Sequence, residues 1–73
     1  MTRLKAYRTL IGQTQREFAE YLGVPYSTLC YWEQGKGDPP PIVYNLIRHL
    51  HPIPEDVIEV QMQKPNSERV KRA

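Results

Sequence analysis

The stretch Gln13-Thr14-Gln15-Arg16-Glu17-Phe18-Ala19-Glu20-Tyr21-Leu22-Gly23-Val24-Pro25-Tyr26-Ser27-Thr28-Leu29-Cys30-Tyr31-Trp32-Glu33-Gln34 decides the fold of this 73-residue chain. Thr14 followed three residues later by Glu17 is a capping box. The hydroxyl accepts from the Glu17 N–H, and the carboxylate accepts from the Thr14 N–H. A helix therefore begins at Gln15. Phe18, Ala19 and Leu22 share one of its faces, and Gly23 ends it in a left-handed conformation that residues with a Cβ resist. A second helix begins near Pro25 and runs to about Gln34, with Leu29 and Trp32 as its inward pair at i, i+3. Phe18, Leu22, Val24, Leu29 and Trp32 then face one shared core, and Ala19 is small where the two helices must approach closely.

Working outward, Thr2 is the cap of a first helix reaching Leu10. Leu4, Tyr7, Leu10 and Ile11 recur at helical spacing, and Gly12 is the stop. Gly35 ends the second helix of the central pair. Pro39, Pro40 and Pro41 disfavour helix at the residue before each of them, so the next helix starts at Pro41, whose fixed φ suits a first helical position. Ile42, Val43, Leu46, Ile47 and Leu50 form its broad apolar stripe. From Pro54 to Gln63 two templates compete. Glu55 and Asp56 in a first turn favour a helix with Val57, Ile58 and Met62 on one face. Residues 58–63 also alternate strictly, which fits a strand. The helix is preferred, and residues 57–63 stay open between the two. The chain thus reads as all-α: a compact bundle of about five short helices forming one domain over residues 1–63, followed by a basic, flexible tail at 64–73.

Length and composition bound the function. A chain this short holds one domain and buries roughly 60% of its unfolded surface, which leaves no room for a deep catalytic cleft. Leu, Ile, Val and Phe total 17 residues, just above the ~20% share below which chains stay disordered. Ten Lys+Arg against eight Asp+Glu give a net charge of +2. The charge is uneven: residues 1–63 carry six basic and seven acidic residues, a net of −1, while residues 64–73 carry four against one, a net of +3. Composition by itself therefore does not indicate a nucleic-acid partner. A single cysteine, Cys30, forms no internal disulfide and fits a reducing cytoplasm. No apolar run approaches a signal segment or the ~20 residues of a membrane span, so a cytoplasmic protein with no membrane contact is expected. His49 and His51 with Cys30 match no zinc spacing. No nucleophile–base arrangement or supported carboxylate pair is present. No enzyme activity, cofactor, metal or small-molecule substrate is expected.

The unit at 14–34 is a helix-turn-helix, a motif whose second helix projects for insertion into a major groove. Here the chain resembles the Cro/repressor-type (Xre-like) helix-turn-helix family. The residues that carry the resemblance are Gln13 through Val24, then Ser27-Thr28-Leu29, then Trp32-Glu33-Gln34-Gly35-Lys36, within a match spanning about Leu4 to Leu50. The resemblance implies a lambda-repressor-like bundle of about five helices. It also implies a transcriptional regulator of prokaryotic or phage type, a repressor that binds an inverted-repeat operator in double-stranded DNA as a homodimer. By position it implies base contacts from Tyr26, Ser27, Cys30 and Tyr31. It implies backbone contacts from Gln15, Arg16, Thr28, Gln34, Lys36 and Gly37, with phosphate favoured at the start of the helix carrying Gln15 and Arg16. It pairs Arg8 with Glu33 as a structural ion pair, which agrees with Glu33 following the inward Trp32. Dimer contacts are expected from the last segment, at Val60 and Met62.

Three features depart from the family pattern. The segment from Tyr26 to Trp32 holds no Lys, Arg, Asn or Gln, the usual bidentate readers of guanine and adenine. Readout there falls to tyrosine hydroxyls, Ser27 and apolar contact with thymine methyls. Pro25 supplies no side-chain cap. Asp38 and three prolines occupy a loop that is often basic. The alternative function is an antitoxin or accessory module that uses the same scaffold to bind a protein partner such as a toxin. Tyr26 and Tyr31 would then be ordinary surface aromatics. Cys30 reads as a small outward residue rather than a redox sensor, since no neighbouring cation in the sequence lowers its pKa.

Overall fold

The computed structural model describes residues 1–63 and holds five helices, with no strand among the described residues. They are α1 (Arg3–Ile11), α2 (Gln15–Leu22), α3 (Tyr26–Glu33), α4 (Pro41–Leu50) and α5 (Glu55–Gln63). The 64–73 tail lies outside the described residues.

Local chemistry sets most of the boundaries. The Thr2 hydroxyl accepts from the Lys5 N–H at 3.2 Å and opens α1. Both halves of the Thr14–Glu17 capping box are made, at 2.9 and 3.1 Å. After α2 the chain closes a Schellman turn: Gly23 N–H donates to Glu20 C=O and Val24 N–H to Ala19 C=O, with Gly23 at φ +74°. That conformation is natural only for glycine, and it aims α3 across α2. Helix α3 has no side-chain cap at Pro25, and α4 begins at Pro41. Segment 55–63 is helical throughout, which removes the strand alternative. Ile58 and Met62 lie four apart, so both turn toward the body, Ile58 buried and Met62 partly covered.

The core gathers Leu4, Ala6 and Tyr7 of α1, Phe18 and Ala19 of α2, Leu29 of α3, Ile47 of α4 and Ile58 of α5. Each large aliphatic or aromatic side chain buried this way contributes roughly 1.5–3 kcal/mol. Tyr7 is buried whole, and its hydroxyl accepts a hydrogen bond from Arg48 Nε at 3.2 Å, fastening α4 to α1. Tyr21, Trp32 and Tyr44 cover the edges. Two expectations from periodicity need correction. Leu10 points outward, because the buried face of α1 runs through Leu4, Ala6 and Tyr7. On α4 only Ile47 is fully covered, whereas Ile42 (71% exposed), Leu46 and Leu50 stand in solvent. The stripe is wider than the line along which α4 touches the body.

Candidate nucleic-acid interface

Helix α3 buries Leu29 and the Glu33 side chain on one side and presents Tyr26, Ser27 and Tyr31 on the other. Thr28 and Cys30 are half-buried along the edges of that face. The arrangement follows from the core pattern. Leu29, Trp32 and Glu33 hold the inner side, so Tyr26, Ser27 and Tyr31 fall on the opposite one.

A buried polar cluster sets the end of α3 against α1 and α2. The Arg8 guanidinium meets Glu33 as a fork, Nε to Oε2 at 2.7 Å and Nη2 to Oε1 at 3.1 Å. The two side chains are only 14% and 3% exposed. Arg8 Nη1 also donates to the Gln13 carbonyl at 3.0 Å, tying the α1–α2 turn into the same cluster. Gln15 completes it, its Nε2 donating to Glu33 Oε1 at 3.0 Å. The Thr2 hydroxyl reaches the Glu33 carbonyl at 3.5 Å. A carboxylate removed from water needs such donors, because an unpaired buried charge is strongly destabilising.

Gln15 thus turns its amide into the protein, and its oxygen accepts from the Tyr26 hydroxyl at 3.4 Å. The Arg16 guanidinium lies over the Tyr26 ring, 4.4 Å from its centroid. That is a cation–π geometry that holds the cation at the junction of α2 and α3. Cys30, one turn along α3, raises the pKa of the Tyr26 phenol above its ordinary value, while Arg16 and Arg8 pull it the other way.

The loop after α3 carries Gln34 and Lys36, both exposed, and Gly37, half-buried against the Tyr31 ring. Arg16 and Lys36 thus flank the exposed face of α3 at its two ends, where phosphate would lie if the helix entered a groove. Val60 and Met62 lie on α5, remote in sequence from this face. Val60 is 58% exposed, while Met62 packs partly on the core. Three features had no signature in the sequence: the inward turn of Gln15, the stacking of Arg16 on Tyr26, and the approach of Gly37 to Tyr31. Each joins residues on different elements, which no periodicity within one helix relates. No group of three or more metal-ligating side chains occurs among the described residues. None of the helices is long and apolar enough to cross a membrane.

No curated protein and no solved structure matches the chain. A helix-turn-helix family model does match, over residues 4–57. That span takes in α1 to α4 and the start of α5, and so includes the Arg8–Glu33 cluster, the Gly23 turn and the exposed face of α3. With these elements in place, the chain belongs to the Cro/Xre-type helix-turn-helix family of DNA-binding regulators.

Proposed function

We propose that the protein is a repressor that binds an inverted-repeat operator as a homodimer, with α3 of each copy in the major groove. The observation that carries this reading is the two-sidedness of α3: a buried inner side, and an outer side outside the core that presents Tyr26, Ser27 and Tyr31 between two exposed cations. Tyr26, Ser27, Cys30 and Tyr31 are the base-reading residues in this proposal. Arg16, Thr28, Gln34, Lys36 and Gly37 meet the backbone. Gln15 acts from its position at the start of α2, since its amide serves Glu33 and Tyr26. Residues 1–63 form the working domain, and the protein acts in the cytoplasm.

The second copy has physical support. One head of this size offers little contact area, and specific sites are usually read by two. Large apolar side chains also remain exposed on α4 and α5, Ile42, Leu46 and Val60 among them, as on surfaces that a partner covers. Val60 and Met62 remain the proposed dimer contacts. The same apolar surface favours the second reading, a module that binds a toxin-like protein.

A gel-shift titration of the protein against its own upstream DNA, across a salt series, tests the proposal. Specific retardation that weakens with salt supports it. No specific retardation at low salt, together with co-purification of a second protein, would replace it with the second reading.

A further inference from the structure

The loop that leaves α3 folds straight back onto it. Lys36 N–H donates to the Tyr31 carbonyl at 3.3 Å, and Gly35 N–H to the Trp32 carbonyl at 3.1 Å. On the far side of the loop Pro39 is buried. Pro39, Pro40 and Pro41 each fix their own φ. The segment between these anchors has little room to shift. Gly37 lies in its middle, directly against the Tyr31 side chain. A Cβ built there would stand 2.5 Å from Cε2, 3.2 Å from Cδ2 and 3.4 Å from Cζ of the ring.

Backbone conformation does not explain this glycine. The left-handed glycines are Gly12, Gly23 and Gly35, so an L-residue can adopt the backbone of Gly37. What excludes a side chain is the ring. Tyr31 is half in solvent at 50% exposure, and an aromatic side chain in that position would ordinarily sample several rotamers. Contact with the Gly37 α-carbon removes part of that freedom.

We infer that Gly37 is a positioning residue for sequence readout: its missing side chain lets the pinned loop hold the Tyr31 ring in one orientation toward the groove. The inference rests on the proposed reading of α3 as the groove-facing helix. It differs from a phosphate-contact role for Gly37, which would act through the backbone alone and be indifferent to a methyl group. In Gly37→Ala the loop cannot retreat, but the ring can, because it is the outer end of a flexible side chain. The ring swings away while the fold survives.

The test has two arms. In the free protein, nuclear Overhauser effects are measured between the Gly37 α protons and the Tyr31 ring. They are expected in the wild type. In Gly37→Ala the ring resonances should move to the positions of a solvated tyrosine, with the thermal midpoint unchanged. No contact in the wild type, or unmoved ring resonances in the variant, overturns the inference. In the second arm each protein selects from a randomised duplex pool. Gly37→Ala should lose about tenfold in preference at the same base positions as Tyr31→Ala. Adding Gly37→Ala to Tyr31→Ala should change nothing further. Additive losses, losses at other positions, or uniformly weaker binding with preference intact overturn it. A wild type that selects no duplex removes the DNA reading and with it the specificity role. The first arm then still decides whether Gly37 holds the ring.

Discussion

Removing Arg8 should come close to unfolding this protein, because of what it leaves behind. Glu33 accepts three side-chain hydrogen bonds, two from Arg8 and one from Gln15, and its side chain is almost wholly covered. Arg8→Met keeps the aliphatic stem but strips the carboxylate of both charge-assisted donors. Gln15 alone cannot replace them. Breaking one side of a buried pair costs ~3–5 kcal/mol. At the usual ~0.05–0.15 kcal/mol per residue, the whole domain is stable by only about 4–11 kcal/mol. The thermal midpoint should fall by more than about 12 °C, taking ~4–8 °C per kcal/mol for a chain of this size. The double variant Arg8→Met with Glu33→Leu removes both charges, and Gln15 is exposed enough to turn to water. It should recover most of the loss, because replacing a buried pair with apolar groups is often neutral or better. Urea unfolding, followed by far-ultraviolet circular dichroism and by the fluorescence of Trp32, measures both. A cost below about 1 kcal/mol for Arg8→Met, or a double variant less stable than the single one, would refute the reasoning.

Three further outcomes are expected. Gly23→Ala forces a left-handed conformation on a residue with a Cβ and should cost ~1–2 kcal/mol in urea unfolding; an unchanged midpoint would contradict the turn geometry. Arg16→Ala should weaken binding to all duplexes alike and reduce the salt slope by about one, whereas Tyr31→Ala should flatten sequence preference. Equal effects from both in parallel titrations would argue against their separate roles. Burial raises the pKa of the Tyr44 phenol above its ordinary value, so the folded chain keeps a proton that the unfolded chain loses near pH 10. The stability this contributes is complete below about pH 10 and is lost as pH rises through the raised folded value. Tyr44→Phe should therefore show a shallower alkaline fall in stability, and an identical pH profile would rule that out.

How much of this was legible in the sequence depended on distance along the chain. The Thr14–Glu17 box and the Gly23 turn are settled within five residues, and the chemistry of those residues is sufficient to specify them. Periodicity correctly found the apolar face of α4, but it counts side chains, not the surface available to cover them. Ile47, with Val43 and Tyr44 beside it, makes the contact with the body, and Ile42, Leu46 and Leu50 are left partly or largely exposed. Segment 55–63 is ambiguous because alternation puts apolar residues at both i+2 and i+4, and only the exposure of Val60 between the covered Ile58 and Met62 distinguishes helix from strand. On α3 the motif indicates Tyr26, Ser27 and Tyr31 as outward, as the structure has them, but it also puts Cys30 outward, which is half-buried at the edge. It was silent on Gln15, whose partner Glu33 lies 18 residues away. The resemblance makes Gly37 a backbone contact, and the structure adds that it lies against a ring six residues earlier.

The charges favour the proposed pairing of two reading heads. Residues 1–63 hold six Lys and Arg, and three of these are paired or hydrogen-bonded to other side chains: Arg3 with Glu55, Arg8 with Glu33, and Arg48 with the Tyr7 hydroxyl. Of the remaining three, Arg16 and Lys36 flank the exposed face of α3, and Lys5 lies on α1. Two neutralised phosphates give a salt slope of only about −2 on B-DNA. The absence of a bidentate base reader in α3 removes the usual source of ~1–3 kcal/mol per base pair. On the proposed reading, a head so equipped would bind weakly and discriminate by shape, through aromatic side chains held in place: Tyr26 by Gln15 and Arg16, Tyr31 by Gly37. Two heads on an inverted repeat would double the slope and multiply the discrimination, and the net +3 carried by residues 64–73 would add to the slope without adding to the preference. Affinity and specificity are then separable in this chain. Shortening it to residues 1–63 should lower the first, and disturbing the ring of Tyr31 should lower the second.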